Sequence, residues 1–216
     1  MKYSSFLVVA AVLAAAAPAG AAPTKPPQKG RLSAAARPTP LTFGQGTVVS
    51  GKLTGQNNGG QPVTVSEDGF PYGDGFVSFA RTTTRANGNY AFARLFPAIN
   101  TNYRVSTRTE QAFTGVRVMM RVSFAVGDST PNRGQRVGFT GFVAPKHDGR
   151  TVLIQRLSAT HRWGTVRRTL LKATTGNRSR YSTSLVIRRT GTYRVRAGAD
   201  GDHLTGTSRT RTLSVG

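Results

Sequence analysis

Three histidines and eight acidic residues are the whole stock from which this chain of 216 residues can build an acid–base or metal centre. His147 stands in Lys146-His147-Asp148-Gly149 and His203 in Asp200-Gly201-Asp202-His203, both with the chemistry of turns, while His161 precedes Arg162-Trp163. Acid–base catalysis needs a titrating side chain within reach of the reacting group and with a matched pKa. No HExxH, GxSxG, phosphate-loop or glycine-rich dinucleotide pattern supplies that setting. The chain has no cysteine, which excludes disulfides, thiol nucleophiles and Cys-based zinc sites. Two clusters carry oxygen ligands that suit calcium: Glu67, Asp68 and Asp74, and Asp200, Asp202 with His203. Asp-Gly is also a preferred hairpin turn, and neither spacing matches a calcium loop. No metal, no other cofactor and no catalysis are therefore expected.

The remaining chemistry is charge. Lys and Arg number 30 against the eight acids, a formal net charge of +22. Residues 120–216 hold 18 basic and four acidic residues, and residues 38–119 hold seven and four. Arginine forks suit phosphate and carboxylate, and an excess of this size attracts polyanions. A GC-rich genome explains arginine over lysine but not the scarcity of acids. The candidate anion-binding residues are Arg162, Arg167, Arg168, Arg188, Arg189, Arg194, Arg196, Arg209 and Arg211. Strand alternation in Tyr193-Arg194-Val195-Arg196 sends both arginines to the solvent face. Arg209 and Arg211 share the parity of Leu213 and Val215. Either a bulge aligns four arginines into a ladder, or these two lie beyond the edge of the core. Trp163, beside several arginines, is expected in the core rather than as an exposed stacking platform. The expected partner is an anionic envelope polymer or another extracellular polyanion. Phosphate contacts carry no sequence information, so sequence-specific nucleic-acid binding is not expected.

The elements that must position these residues read as strands. Val63-Thr64-Val65, Val77-Ser78-Phe79, Tyr90-Ala91-Phe92 and Tyr103-Arg104-Val105 alternate with Asn57-Asn58-Gly59-Gly60, Asp68-Gly69 and Asn87-Gly88. Short β-branched and aromatic runs between such turns predict an all-β sandwich. The pattern recurs at an offset near 90 residues. Gly46-Thr47-Val48-Val49-Ser50-Gly51 is matched by Gly134 to Gly141, Gly88-Asn89-Tyr90 by Ser179-Arg180-Tyr181, and Asn102-Tyr103-Arg104-Val105 by Thr192-Tyr193-Arg194-Val195. Two tandem sandwich modules follow, 38–119 and 120–216. Val116, Val118, Met120, Val122, Phe124 and Val126 alternate without interruption, which predicts one module's last strand running into the next module's first with almost no linker. The alternative is one long hairpin strand. Tyr103 and Tyr193 are expected to be corner tyrosines, their hydroxyls bonded to upstream backbone.

Ahead of the modules, residues 1–21 read as a cleaved signal peptide: Lys2, an apolar run from Phe6 to Ala17, then Ala19-Gly20-Ala21. The run is too short for a bilayer-spanning helix, and the mature chain carries no other. Residues 22–37, with Lys25 and Lys29 and no acids, predict a disordered basic arm. The expected location is extracellular and bacterial, either released or held non-covalently at the cell wall.

Ser50-Gly51-Lys52-Leu53, Gly60-Gln61-Pro62-Val63-Thr64-Val65, Gly88-Asn89-Tyr90-Ala91-Phe92 and Asn102-Tyr103-Arg104-Val105 resemble the prealbumin-like fold of carboxypeptidase regulatory-like modules. They are also similar to Ig-like repeats of secreted actinobacterial proteins. Gly141-Phe142-Val143-Ala144-Pro145, Val152-Leu153-Ile154-Gln155-Arg156, Trp163 and Gly191-Thr192-Tyr193-Arg194-Val195 look like a second such module. The resemblance implies a non-catalytic spacer or adhesive unit. The reading that follows is a secreted binding module for anionic polymers. A purely structural spacer and, last, a hydrolase are the alternatives.

Overall fold

A computed structural model describes residues 30–216 and is all-β. The signal segment and the arm's Lys25 and Lys29 lie outside the described residues. Module one comprises β1 (Arg31–Leu32), β2 (Ala35–Arg37), β3 (Leu41–Thr42), β4 (Thr47–Thr54), β5 (Pro62–Gly69), β6 (Val77–Thr83), β7 (Asn89–Leu95), β8 (Thr101–Ser106), β9 (Gln111–Val116) and β10 (Val118–Met119). In one sheet β4 pairs with β1 and β2 along one edge and with β7 along the other; the facing sheet runs β6-β5-β8-β9.

Module two repeats this plan with β11 (Arg121–Val122), β12 (Ala125–Val126), β13 (Gln135–Ala144), β14 (Thr151–Leu157), β15 (Trp163–Leu170), β16 (Lys172–Ala173), β17 (Ser179–Ile187), β18 (Gly191–Ala197), β19 (Gly206–Thr207) and β20 (Arg211–Leu213). Its first sheet sets β11 and β12 against β13, followed by β17 and β16. Its second runs β15-β14-β18, with β19 and β20 both on the far edge of β18. The two hydrophobic clusters fall on either side of Met119: Val118 closes the first and Met120 opens the second.

Three expectations need correction. Residues 31–37 are not part of an arm. Arg31 and Leu32 pair with Thr54 and Leu53, and Ala35 to Arg37 pair with Ser50 to Val48. Ala36 is buried and Leu32 packs on the first core, so module one begins near Arg31. The few apolar side chains here are small, and they are ordered by a long partner strand rather than by their own hydrophobicity.

The segment 116–126 keeps its alternation of burial but is not a continuous strand. Between Val116 and Ala125 the chain changes partner twice: β9 pairs with β8, β10 runs parallel to β3, and β11 and β12 pair with β13.

The corner tyrosines are Tyr90 and Tyr181, not Tyr103 and Tyr193. The Tyr181 hydroxyl donates to the Ser123 carbonyl at 2.7 Å, and the Tyr90 hydroxyl donates to the Ser33 carbonyl. Each ring crosses a glycine of the central strand. A Cβ on Gly141 would stand 2.2 Å from Ser123 O and 2.5 Å from the Tyr181 hydroxyl, and Gly51 sits in the same way under Tyr90. The serines repeat as well: Ser33 Oγ accepts from Lys52 N, and Ser123 Oγ accepts from Phe142 N. No hydroxyl hydrogen bond of Tyr103 or Tyr193 occurs among the described residues.

The modules meet through the β18–β19 loop. Asn100 N donates to Asp202 O at 2.8 Å, Leu204 N to Val118 O at 2.7 Å, and Met120 N to Leu204 O at 3.2 Å. The Phe70 ring lies against Gly201 so closely that a Cβ there would be 2.3 Å from it. This loop of module two is thus tied to the backbone of module one and to the connecting chain.

Candidate functional site

Strand pairing decides where the candidate arginines go. On β18, Tyr193, Val195 and Ala197 are buried while Arg194 and Arg196 are partly exposed, so both arginines stand on the outer face. Leu153 of β14 pairs with Arg196 on one side and with Arg168 of β15 on the other, which puts Arg168 in the same outward row. Neighbouring rows and strands place these three Cα atoms about 7–12 Å apart. No acidic residue occurs in β14, β15, β18, β19 or β20. Burial, followed by the charge of Arg196, lowers the pKa of Arg194; the two guanidinium groups face solvent without a carboxylate between them.

Trp163 is not in the core. It pairs with Leu157 at the end of β15, half-buried, and the Arg194 guanidinium lies 4.1 Å above its ring centre. Arg194 Nε donates to Gln155 Oε1 at 2.9 Å, which holds the guanidinium on the indole. The β14–β15 bulge between Ile154 and Gln155 shifts the parity of the last strand pairs, a change that alternation in sequence does not reveal.

The other arginines divide. Arg188 and Arg189 sit on the β17–β18 turn beside Arg156, around a cleft of about 280 Å³ that also touches Val166 and Tyr193. Arg156 was not singled out from the sequence; it donates through Nη2 to Thr190 O at 2.8 Å. Arg167 turns toward the other sheet and donates to Thr183 Oγ1. Arg162 closes the turn before β15, its N–H donating to Ser158 Oγ. The four-arginine ladder does not form. Arg196 pairs with Thr207, but Tyr193 pairs with Arg211. One extra residue therefore lies between β19 and β20. The irregularity places Arg211 on the parity of Tyr193 and Leu213, exposed beyond the core, and leaves Arg209 exposed outside both strands.

A second assembly lies at the module junction. The β13–β14 loop supplies His147 and the β18–β19 loop supplies Asp200, Asp202 and His203; one ligand atom from each falls within 4.8 Å of the others. His147 Nε2 is 2.9 Å from Asp200 Oδ2, which also accepts from Arg150 at 2.6 Å. His203 Nδ1 is 3.1 Å from Asp202 Oδ1 and 3.6 Å from Asp200 Oδ1. Burial opposes ionisation of Asp202, but its contacts with Asp200 and His203 outweigh it and lower the carboxyl pKa. Asp148, in the same loop as His147, accepts from Ser179 Oγ and meets Lys146. Sequence reading paired Asp200, Asp202 and His203; His147 joins them only because two loops meet. Glu67, Asp68 and Asp74 form no comparable group among the described residues.

No family model and no curated protein matches this chain. Among solved structures it is similar to the tetra-tandem repeat in the extending region of a large adhesion protein, at 12% identity and a TM-score of 0.35. The match covers 87% of this chain and 50% of that one. The chain therefore spans half the length of that neighbour, and a likeness at this level carries no argument about function.

Proposed function

We propose that this chain is a secreted, non-catalytic binding protein whose second module holds anionic polymers on the outer face of its β15-β14-β18 sheet. The observation that carries the reading is the acid-free row of Arg168, Arg194 and Arg196 on one flat face, with Arg194 laid over Trp163. A polymer bearing repeated phosphate or carboxylate groups can meet such forks bidentately. The stacked indole widens the contact for a sugar or base. The extracellular polyanions that fit are teichoic-type phosphates, acidic capsule or glycolipid, and extracellular DNA read without sequence.

The test uses the full mature chain on immobilised heparin and on a teichoic-type polymer across a salt series. Retention should fall steeply with salt, as expected when bound counterions are released. Arg194→Glu with Arg196→Glu should weaken binding at least tenfold, and Arg81→Glu with Arg85→Glu in module one should weaken it far less. Equal effects of the two pairs, or binding indifferent to salt, would refute the assignment of this face.

A spacer role has its own support. The hydrogen bonds of Asn100, Leu204 and Met120 across the junction suit a unit that holds two sandwiches in fixed relation.

A further inference from the structure

In their neutral form the two junction histidines turn ring lone pairs toward carboxylates. His203 is 1% exposed. Its Nε2 lies 2.8 Å from the Ala98 carbonyl of module one. A carbonyl only accepts, so Nε2 carries the hydrogen, and in the neutral ring Nδ1 presents a lone pair. That Nδ1 is buried and has no hydrogen-bond partner. Its nearest neighbours are the Asp202 and Asp200 carboxylate oxygens, at 3.1 and 3.6 Å.

His147 repeats the pattern with its nitrogens exchanged. Nδ1 lies 2.8 Å from the Pro145 carbonyl, and the lone-pair nitrogen Nε2 faces Asp200 Oδ2 at 2.9 Å. Two imidazole lone pairs and two carboxylates therefore converge on one point, acceptor against acceptor. With both rings neutral, acceptor faces acceptor, and a metal ion between them would relieve that opposition. Histidines that bind metal characteristically donate the other ring N–H to a backbone carbonyl or carboxylate, and both rings here do so.

We propose that His147 Nε2, His203 Nδ1, Asp200 and Asp202 form a site for a divalent transition-metal ion of the zinc type, and that filling it locks module two onto module one. Two nitrogens and two carboxylate oxygens are a borderline donor set that suits zinc better than calcium, which takes six to eight oxygens. Bonds of about 2.0–2.2 Å in a tetrahedron set ligand atoms about 3.3–3.6 Å apart. His147 Nε2 stands 2.9 Å from Asp200 Oδ2, while His203 Nδ1 stands 3.1 Å from Asp202 Oδ1 and 3.6 Å from Asp200 Oδ1; the four groups offer atoms within 4.8 Å of one another, so the side chains close by up to about 1 Å around the ion. The rings stand at 79° with centroids 5.2 Å apart, so two ligands approach from different directions. Arg150, on Asp200 Oδ2 at 2.6 Å, orients that carboxylate from outside. The coupling to the junction runs through residues already tied to module one: His203 to Ala98, Asp202 O to Asn100 N, and Gly201 O to Asn100 Nδ2.

The experiment is a calorimetric titration of the tag-free full chain, stripped with chelator, with zinc chloride at pH 7.5 and again at pH 5.5. One equivalent should bind, with protons released and affinity at least tenfold weaker at pH 5.5, since both histidines must be neutral to ligate. His203→Ala removes a buried side chain and can disturb folding. The deciding variants are therefore His147→Gln, which keeps a polar side chain of similar size, and Asp202→Asn, at a partly open position. Each should lower zinc affinity at least 30-fold and abolish the zinc-induced rise in melting temperature. The unliganded melting temperature should fall by much less than His203→Ala lowers it. Zinc should also slow proteolysis of the connecting chain around Arg117 and Arg121 in the unsubstituted protein. No binding at 100 μM zinc would overturn the proposal. Binding that His147→Gln and Asp202→Asn leave unchanged would overturn it too.

Discussion

Replacing Tyr181 by phenylalanine tests the repeated tyrosine–glycine–serine corner directly. The ring is 1% exposed and its hydroxyl donates to Ser123 O at 2.7 Å across Gly141. Removing one oxygen leaves the ring in place, so no large cavity opens. The loss is the hydrogen bond plus the desolvation of a carbonyl left without its donor, together about 1–2 kcal/mol. For a module of this size 1 kcal/mol moves the midpoint by about 4–8 °C. Thermal and urea unfolding of the full chain, followed by circular dichroism, should therefore show the module-two transition lowered by several degrees with an unchanged denaturant slope. Tyr193→Phe is the internal control. Tyr193 is equally well packed, against Phe139 at 5.4 Å, but its hydroxyl makes no hydrogen bond among the described residues, and the substitution should stay within about 0.5 kcal/mol. If Tyr193→Phe costs as much as Tyr181→Phe, or if Tyr181→Phe is silent, the corner is misassigned and the stability of module two does not rest on it.

Gly141→Ala should destabilise the same module by about 1–3 kcal/mol, because the added Cβ has backbone on one side and the Tyr181 hydroxyl on the other; unfolding midpoints close to the parent protein's would rule this out. Trp163→Ala should cost less than about 1 kcal/mol in stability, the scale of an exposed cation–π contact, yet reduce retention on an anionic column; a large stability loss would return the indole to the core. A spectrophotometric titration should show Tyr90 ionising only near pH 12, with Tyr103 and Tyr181 also delayed, because burial favours the neutral phenol. Their folded pKa values exceed the unfolded ones, so the stability they contribute is intact below pH 10 and declines as pH rises from there through 12; full phenolate absorbance at pH 11 in folded protein would contradict it.

How much of this was legible in sequence follows from the range of the forces involved. Alternation and turn chemistry are local, and they locate β4, β5, β7, β8 and their counterparts in module two. The outward placement of Arg194 and Arg196 is local as well. What failed depends on partners distant in sequence. Residues 31–37 become strand because β4 needs an edge partner, and Ala34-Ala35-Ala36 shows no hydrophobic signal strong enough to reveal it. A corner tyrosine is recognisable by what its hydroxyl reaches: Ser33 lies 57 residues from Tyr90 and Ser123 lies 58 from Tyr181. The repeat offset still held the clue, since Ser33, Gly51 and Tyr90 recur as Ser123, Gly141 and Tyr181. Trp163 left the core because Val166 bulges out of its own strand and reverses the facing of the residues before it. His147 and His203 are 56 residues apart, and no spacing rule joins them.

The distribution of acids links the two candidate sites. Module two has four acidic residues against 18 basic ones, and three of the four, Asp148, Asp200 and Asp202, lie around the junction histidines. The fourth, Asp128, accepts from Gln135 Nε2 and Thr130 N near the module's start. None is left for the outer face of the β15-β14-β18 sheet. The scarcity of acids that composition alone could not explain thus has a spatial form: three of the four carboxylates are gathered in the loops beside the junction, and the arginine face is left without counter-charges. A compositional origin of the net charge predicts acids and arginines mixed over the surface. Introducing a single carboxylate into that face tests the difference. Thr165→Glu, on the strand position opposite Gln155 and beside Arg194, adds a partner for Arg194 at little cost to an exposed edge strand. It should weaken polyanion retention by more than its one unit of charge does when placed on module one, for example at Thr82. If the two glutamates act equally, net charge alone governs binding and the acid-free face has no particular role.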